Sequence, residues 1–141
     1  MRQLYQLSVA LVLTFGVAQL ASAADAPLQI EGAVTVNADA VIDLVRTRAD
    51  LIIIDNRTIG DYDAGHIEGA QHLLDSDMAD ESVLTKLVKS KDAPVLFYCN
   101  GVKCGRAANA SAKAVSWGYT KVYYYAFGLA EWKERGLPLR R

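Results

Sequence analysis

The stretch Cys99-Asn100-Gly101-Val102-Lys103-Cys104-Gly105-Arg106 concentrates the reactive chemistry of this 141-residue chain. It holds both cysteines of the protein, two glycines and two basic side chains. The thiolate is the nucleophilic form of cysteine, and positive surroundings lower the thiol pKa. Gly101 and Gly105 let the backbone turn its N–H groups inward, and a ring of such groups holds anions. A helix starting just beyond would add the positive end of its dipole. Lys103 and Arg106 add whole charges. A sulfur at the centre of that arrangement is an activated nucleophile facing a cradle for an anionic substrate. This reading marks Cys99 as the catalytic residue and Asn100, Gly101, Val102, Lys103, Cys104, Gly105 and Arg106 as its substrate-binding loop.

The elements that must position this loop are legible as alternating patterns. Val34 to Val36 is a short strand, and Asn37 caps a helix with Val41, Leu44 and Val45 on one face. Leu51 to Ile54 is a β-branched run of the kind buried on both faces, ending at Asp55. Gln71 to Leu74 is a further short strand. Ser82 to Val88 is a helix that turns Val83, Leu84, Leu87 and Val88 inward. Pro94 opens a second buried strand that runs to Tyr98, and proline is tolerated at that first position. Arg106 to Trp117 is an alanine-rich helix with Ala108, Ala112 and Val115 on one stripe, ended by Gly118. Val122 to Tyr125 is a strand, and Leu129 to Arg135 a last helix stopped by Gly136. Alternation of this kind predicts an α/β fold with a mostly parallel central sheet flanked by helices. Function in such sheets gathers at the carboxyl ends of the strands. Cys99 follows one strand and precedes a helix, as that rule asks.

The rest of the chain sets the context. Residues 1–23 read as a cleavable signal peptide, with Arg2, an apolar run from Leu7 to Val17, and Ala21-Ser22-Ala23 as the cleavage site. The apolar run is shorter than the ~20 residues a spanning helix needs, so no stable membrane insertion is expected after cleavage. Residues 24–33 form an N-terminal extension and 34–139 a single domain. Export to the periplasm would place the two cysteines in an oxidising compartment. A formal net charge of −1 gives no sign of the basic face that nucleic acid calls for, and no nucleic-acid partner is expected. Two cysteines and two distant histidines lack the spacing of a zinc site, and neither metal nor other cofactor is expected.

Three stretches in register give the chain a family resemblance from about Val34 to Leu139. Asp55-Asn56-Arg57, with Asp61-Tyr62 and Gly65-His66-Ile67-Glu68-Gly69-Ala70, is similar to the rhodanese-like signature D-x-R, E-Y, G-H-I-P-G-A. Gly128 to Trp132, with Gly136-Leu137-Pro138, resembles the C-terminal G-G-x-x-x-W and G-x-P. Between them the strand, Cys99 and the alanine-rich helix stand in the right order. The resemblance implies a rhodanese-like sheet and a sulfurtransferase. In that family the cysteine matching Cys99 takes sulfane sulfur from a small sulfur-containing anion such as thiosulfate, and a thiol or cyanide acceptor removes it. A protein thiol partner is a further candidate acceptor. Asp55, Arg57 and His66 match signature positions that are mainly structural in the family, with a catalytic Asp55 at the strand-end mouth and a His66 base as the lesser readings. Trp117, Trp132 and Tyr123 to Tyr125 read as packing.

The loop departs from the common form of the family. Its sixth position is Cys104, and the interval from Cys99 to Gly118 is longer, so Arg106 stands in for a loop arginine displaced along the chain. Cys104 has two readings. It is a small apolar filler, or it is a resolving thiol that closes a Cys99–Cys104 disulfide, which makes a thiol–disulfide redox protein the alternative function. Rhodanese-fold phosphatases and arsenate reductases place five residues between cysteine and arginine, whereas Asn100 to Gly105 are six. A non-enzymatic binding module of this family would lack the nucleophile, and Cys99 is present.

Overall fold

The computed structural model describes residues 24–141, so the signal-peptide expectation for 1–23 lies outside the described residues. Eleven short elements alternate along the described residues. The strands are β1 (Ala33–Thr35), β2 (Ile52–Asp55), β3 (Ala70–His72), β4 (Val95–Tyr98) and β5 (Val122–Tyr125). The α-helices are α1 (Ala38–Thr47), α2 (Ile59–Ala64), α3 (Glu81–Thr85), α4 (Arg106–Ser116) and α5 (Gly128–Glu134), with a 3₁₀ turn at Asp75–Asp77. All five strands are parallel, in the order β1-β5-β4-β2-β3.

The order explains where a site can form. The chain leaves β2 outward to β3 and leaves β4 the other way to β5. The carboxyl ends of β2 and β4 are therefore the switch point of the sheet, where a crevice opens between diverging connections. Asp55 and Tyr98, which pair across those two ends, sit at its floor.

Each face of the sheet carries its own core. Ile54, Val95, Phe97 and Tyr124 share a core with Ala107, Ala110 and Ala114 of α4, with Leu84 of α3 and with Val88 just beyond it. On the opposite face Ile53, Leu96, Tyr98 and Tyr125 pack with Val41 of α1 and with Leu129 and Trp132 of α5. Successive strand side chains point to opposite faces, so the apolar runs bury both. Asn37 caps α1 by accepting from the Ala40 amide at 3.0 Å.

The structure corrects two helix faces. Val45 is 48% exposed, because Ala38 and Val41 carry the buried contact of α1 at its N-terminal half while Leu44 is only half-buried. On α4, Ala112 points outward, and the buried face is Ala107, Ala108, Ala110, Ser111 and Ala114. An alanine face has no bulk to mark its direction, and the close approach of α4 to the sheet decided it. Among the described residues no helix is long and apolar enough to cross a membrane.

Candidate active site

Cys99 leaves the carboxyl end of β4. The strand phase that turns Val95 and Phe97 toward α4 turns Cys99 the same way, and its residue is 2% exposed. Its Sγ is bonded to Sγ of Cys104, with the two Cα atoms 6.2 Å apart. That separation suits a disulfide. The loop bends enough to allow it because the Cys104 amide donates to the Gly101 carbonyl at 2.9 Å, closing a tight turn.

The loop is clamped from several sides. The amides of Leu129 and Ala130, in the first turn of α5, donate to the carbonyls of Cys99 and Asn100, each at 2.9 Å. This approach needs Gly128, whose φ is +54° and whose missing side chain leaves room for the Cys99 carbonyl. From the N-terminal extension, the Ala26 amide donates to the Val102 carbonyl at 2.7 Å, and Asp25 pairs with Lys103. The same extension is tied to the sheet by the Tyr124 hydroxyl, which donates to the Pro27 carbonyl at 2.9 Å. The Asn100 side-chain amide reaches Asp61 Oδ2 at 3.5 Å. The Thr58 hydroxyl first, and that amide second, hold the Asp61 carboxyl below its ordinary value, with the charges of Arg57 and Arg106 adding to them.

An open pocket of about 630 Å³ lies over the loop. Asn100, Gly101, Val102, Lys103, Cys104, Gly105 and Arg106 all line it, together with Asn109 and Ala130. Cys99 does not line it; of the two bonded cysteines, the half-buried Cys104 is the one in the lining. The Arg106 guanidinium donates toward that sulfur, with Nη1 at 3.7 Å from Sγ. Helix α4 begins after Gly105 with no side-chain cap, so its first-turn N–H groups remain open at the loop. Helix dipole and guanidinium give the pocket a positive wall.

Beneath the loop lies a buried polar cluster that holds β2 and β4 together. Asp55 receives two hydrogen bonds from Arg57 Nε, at 3.0 and 3.1 Å, and one from Nη2 at 2.7 Å. Arg57 Nη2 also donates to the Gly65 carbonyl at 2.7 Å, and the Tyr98 hydroxyl donates to Asp55 Oδ2 at 2.5 Å. Tyr98 in turn accepts from the Ile67 amide at 3.1 Å. Burial and then the Asp55 carboxylate push the Tyr98 phenol far above its ordinary value, so it stays a donor. Burial works against the Arg57 charge, yet Asp55 holds its pKa above the usual value. These groups are consumed by one another and none lines the pocket. His66 stacks on Tyr62, ring centroids 3.9 Å apart, and its Nδ1 lies 3.0 Å from the Tyr62 carbonyl. The structural role expected of Asp55, Arg57 and His66 follows from these contacts. Trp132 is buried and its Nε1 donates to the Pro138 carbonyl at 2.9 Å, which is packing as expected.

Sequence reasoning missed the supports of the loop. Gly128, Ala130 and Asp61 fall inside motifs that resemble the family signature, so a signal existed at each. Asp25 and Ala26 carry none, since only the fold brings the extension to the loop.

A parallel α/β sheet with a clamped cysteine loop at its switch point defines a class of cysteine-centred α/β domain. The chain belongs to the rhodanese-like domain family, whose model matches residues 37–135. It is 36% identical over 95 residues to the uncharacterized protein YibN of Escherichia coli strain K12. That match covers 67% of this chain and 64% of YibN, so the chain spans less than two thirds of this relative. The crystal structure of the BH2092 protein from Bacillus halodurans superposes with a TM-score of 0.65 at 25% identity, covering 77% of each chain. The polysulfide-sulfur transferase of Wolinella succinogenes shares the fold, with a TM-score of 0.61 at 23% identity over 77% of this chain and 79% of that one.

Proposed function

We propose that this protein is a periplasmic sulfurtransferase that carries sulfane sulfur as a persulfide on Cys99. The observation that supports it most is the position of Cys99 at the end of β4, beneath a loop whose wall is an uncapped helix N-terminus and Arg106. A thiolate there attacks the outer sulfur of an anion such as thiosulfate. A sulfur–sulfur bond forms to Cys99, the donor's own sulfur–sulfur bond breaks, and sulfite leaves with the electron pair. Cyanide or a thiolate then takes the outer sulfur and returns Cys99 as thiolate. Open N–H groups favour both the anionic donor and the anionic persulfide. The Cys99–Cys104 disulfide is a resting form that must be reduced first.

That disulfide also supports a second reading, a thiol–disulfide redox protein working through Cys99 and Cys104. Thiocyanate formation from thiosulfate and cyanide by the pre-reduced protein separates the two. Activity in the wild type that disappears in Cys99→Ser supports sulfur transfer, and activity that survives the change overturns it. Intact mass after thiosulfate treatment gives the same decision: a gain of one sulfur marks the persulfide, and a loss of two hydrogens marks the disulfide alone.

A further inference from the structure

We infer that Cys104, not Cys99, is the sulfur attacked when a small anionic thiolate opens the disulfide, and that Cys99 is the leaving thiolate. The inference rests on the reading above that the disulfide is a resting form to be reduced. Exchange at a disulfide requires the nucleophile to approach one sulfur from the side opposite the other. Cys99 is 2% exposed and belongs to the buried core that also holds Phe97, Ala107 and Ala108, which leaves an external thiolate no open path to it. Cys104 is half-buried and forms part of the pocket wall. Access therefore selects Cys104.

Charge selects the kind of thiol. Arg106 Nη1 lies 3.7 Å from Cys104 Sγ, and Lys103 is the loop's other cation. Asp25 pairs with Lys103, and the Asp61 carboxylate reaches Asn100 at the loop's edge, so Arg106 is the cation directed at the sulfur. A small thiolate with a second negative charge gains from that guanidinium, and a cationic thiol is repelled by it.

The step balances. The incoming thiolate forms a bond to Cys104 Sγ, the Cys99–Cys104 bond breaks, and its electron pair leaves on Cys99. A second thiolate then attacks the incoming group's sulfur, releases Cys104 as thiolate and departs as an external disulfide. Two external thiols are oxidised and one protein disulfide is reduced. The first attack frees Cys99 as thiolate, and the second removes the mixed disulfide on Cys104 to which Cys99 would otherwise close back. The nucleophile that accepts sulfane sulfur is thus unmasked through its neighbour.

The test is rapid acid quench of the oxidised wild-type protein mixed with 2-mercaptoethanesulfonate, followed by alkylation of free thiols and peptide mapping. Cleavage after Lys103 separates the two cysteines. The expected result at the earliest times is a mercaptoethanesulfonate adduct on Cys104 and an alkylated Cys99, in about tenfold or greater excess over the reverse pattern. Cysteamine, compared at equal thiolate concentration, should open the disulfide more slowly, and Arg106→Gln should reduce that difference. An adduct mainly on Cys99, an even split, or no adduct with either thiol overturns the inference. Thiocyanate formation by the pre-reduced protein is measured separately, so a failure of the sulfur-transfer reading is distinguishable from a failure here.

Discussion

The amide of Leu129 donates to the carbonyl oxygen of Cys99 across 2.9 Å, so the first turn of α5 fixes the backbone of the residue that carries the sulfur. Gly128 makes that approach feasible. Its φ of +54° disfavours any side chain, and a Cβ there would collide with the Cys99 carbonyl. Gly128→Ala should cost about 1–3 kcal/mol of stability, as forced strain at a special backbone position does. Denaturant unfolding measures the loss, and pre-reduced Gly128→Ala should also form thiocyanate more slowly than the wild type.

Cys104 is joined to Cys99 by a disulfide, which under the proposed function masks the nucleophile. Cys104→Ser should therefore form thiocyanate without prior reduction, whereas the wild type should need a reductant before its first turnover. The check is a paired assay with and without dithiothreitol. Equal dependence on reductant in both proteins would refute the masking role.

The pair Asp55–Arg57 is a structural strut, almost wholly shielded from water, with side chains 0% and 2% exposed. Removing one partner leaves the other charge buried and uncompensated. Asp55→Asn should lower stability by about 3–5 kcal/mol. Urea unfolding reads the change, and a near-neutral result would contradict the strut.

The Asp25–Lys103 pair is exposed on both sides. Water and salt screen such pairs, so a double-mutant cycle with Asp25→Asn and Lys103→Gln should give a coupling under about 1 kcal/mol. The backbone bond from Ala26 to Val102 is the firmer tie, and it should survive both changes. Hydrogen exchange at the Ala26 amide tests that.

Asp61 carries a pH signature. Its folded pKa lies below the ordinary 3.8. Its contribution is then fully present above 3.8 and is lost as pH falls through the folded value. Thermal midpoints of wild type and Asp61→Asn should differ near neutral pH and converge in acid. A constant gap down to the lowest pH would show that Asp61 acts without its charge.

Strong local signals were enough for much of the fold. β5 matches its expected span, Val122 to Tyr125, because its residues are apolar, aromatic and bounded by turn residues. β2 and β4 shift by one residue at their starts. Gly118, at φ +87°, follows the end of α4 as its position suggested. Weak signals fared less well. β1 shifts by one residue toward the N-terminus, and α3 stops at Thr85 although Val88 remains buried.

By itself the sequence determined where the cysteine loop stands between its strand and its helix. The types and spacing from Cys99 to Arg106, set between a β-branched strand and an alanine-rich helix, follow from local composition. Strand periodicity even fixes the side of the sheet to which Cys99 turns. The tertiary structure alone decided which cysteine lines the pocket, and that the two sulfurs are joined. It also brought Asp25 and Ala26 against the loop from the far end of the domain. Exposure and long-range clamping depend on what packs above a residue, and distant segments of chain supply that packing. No local pattern encodes it.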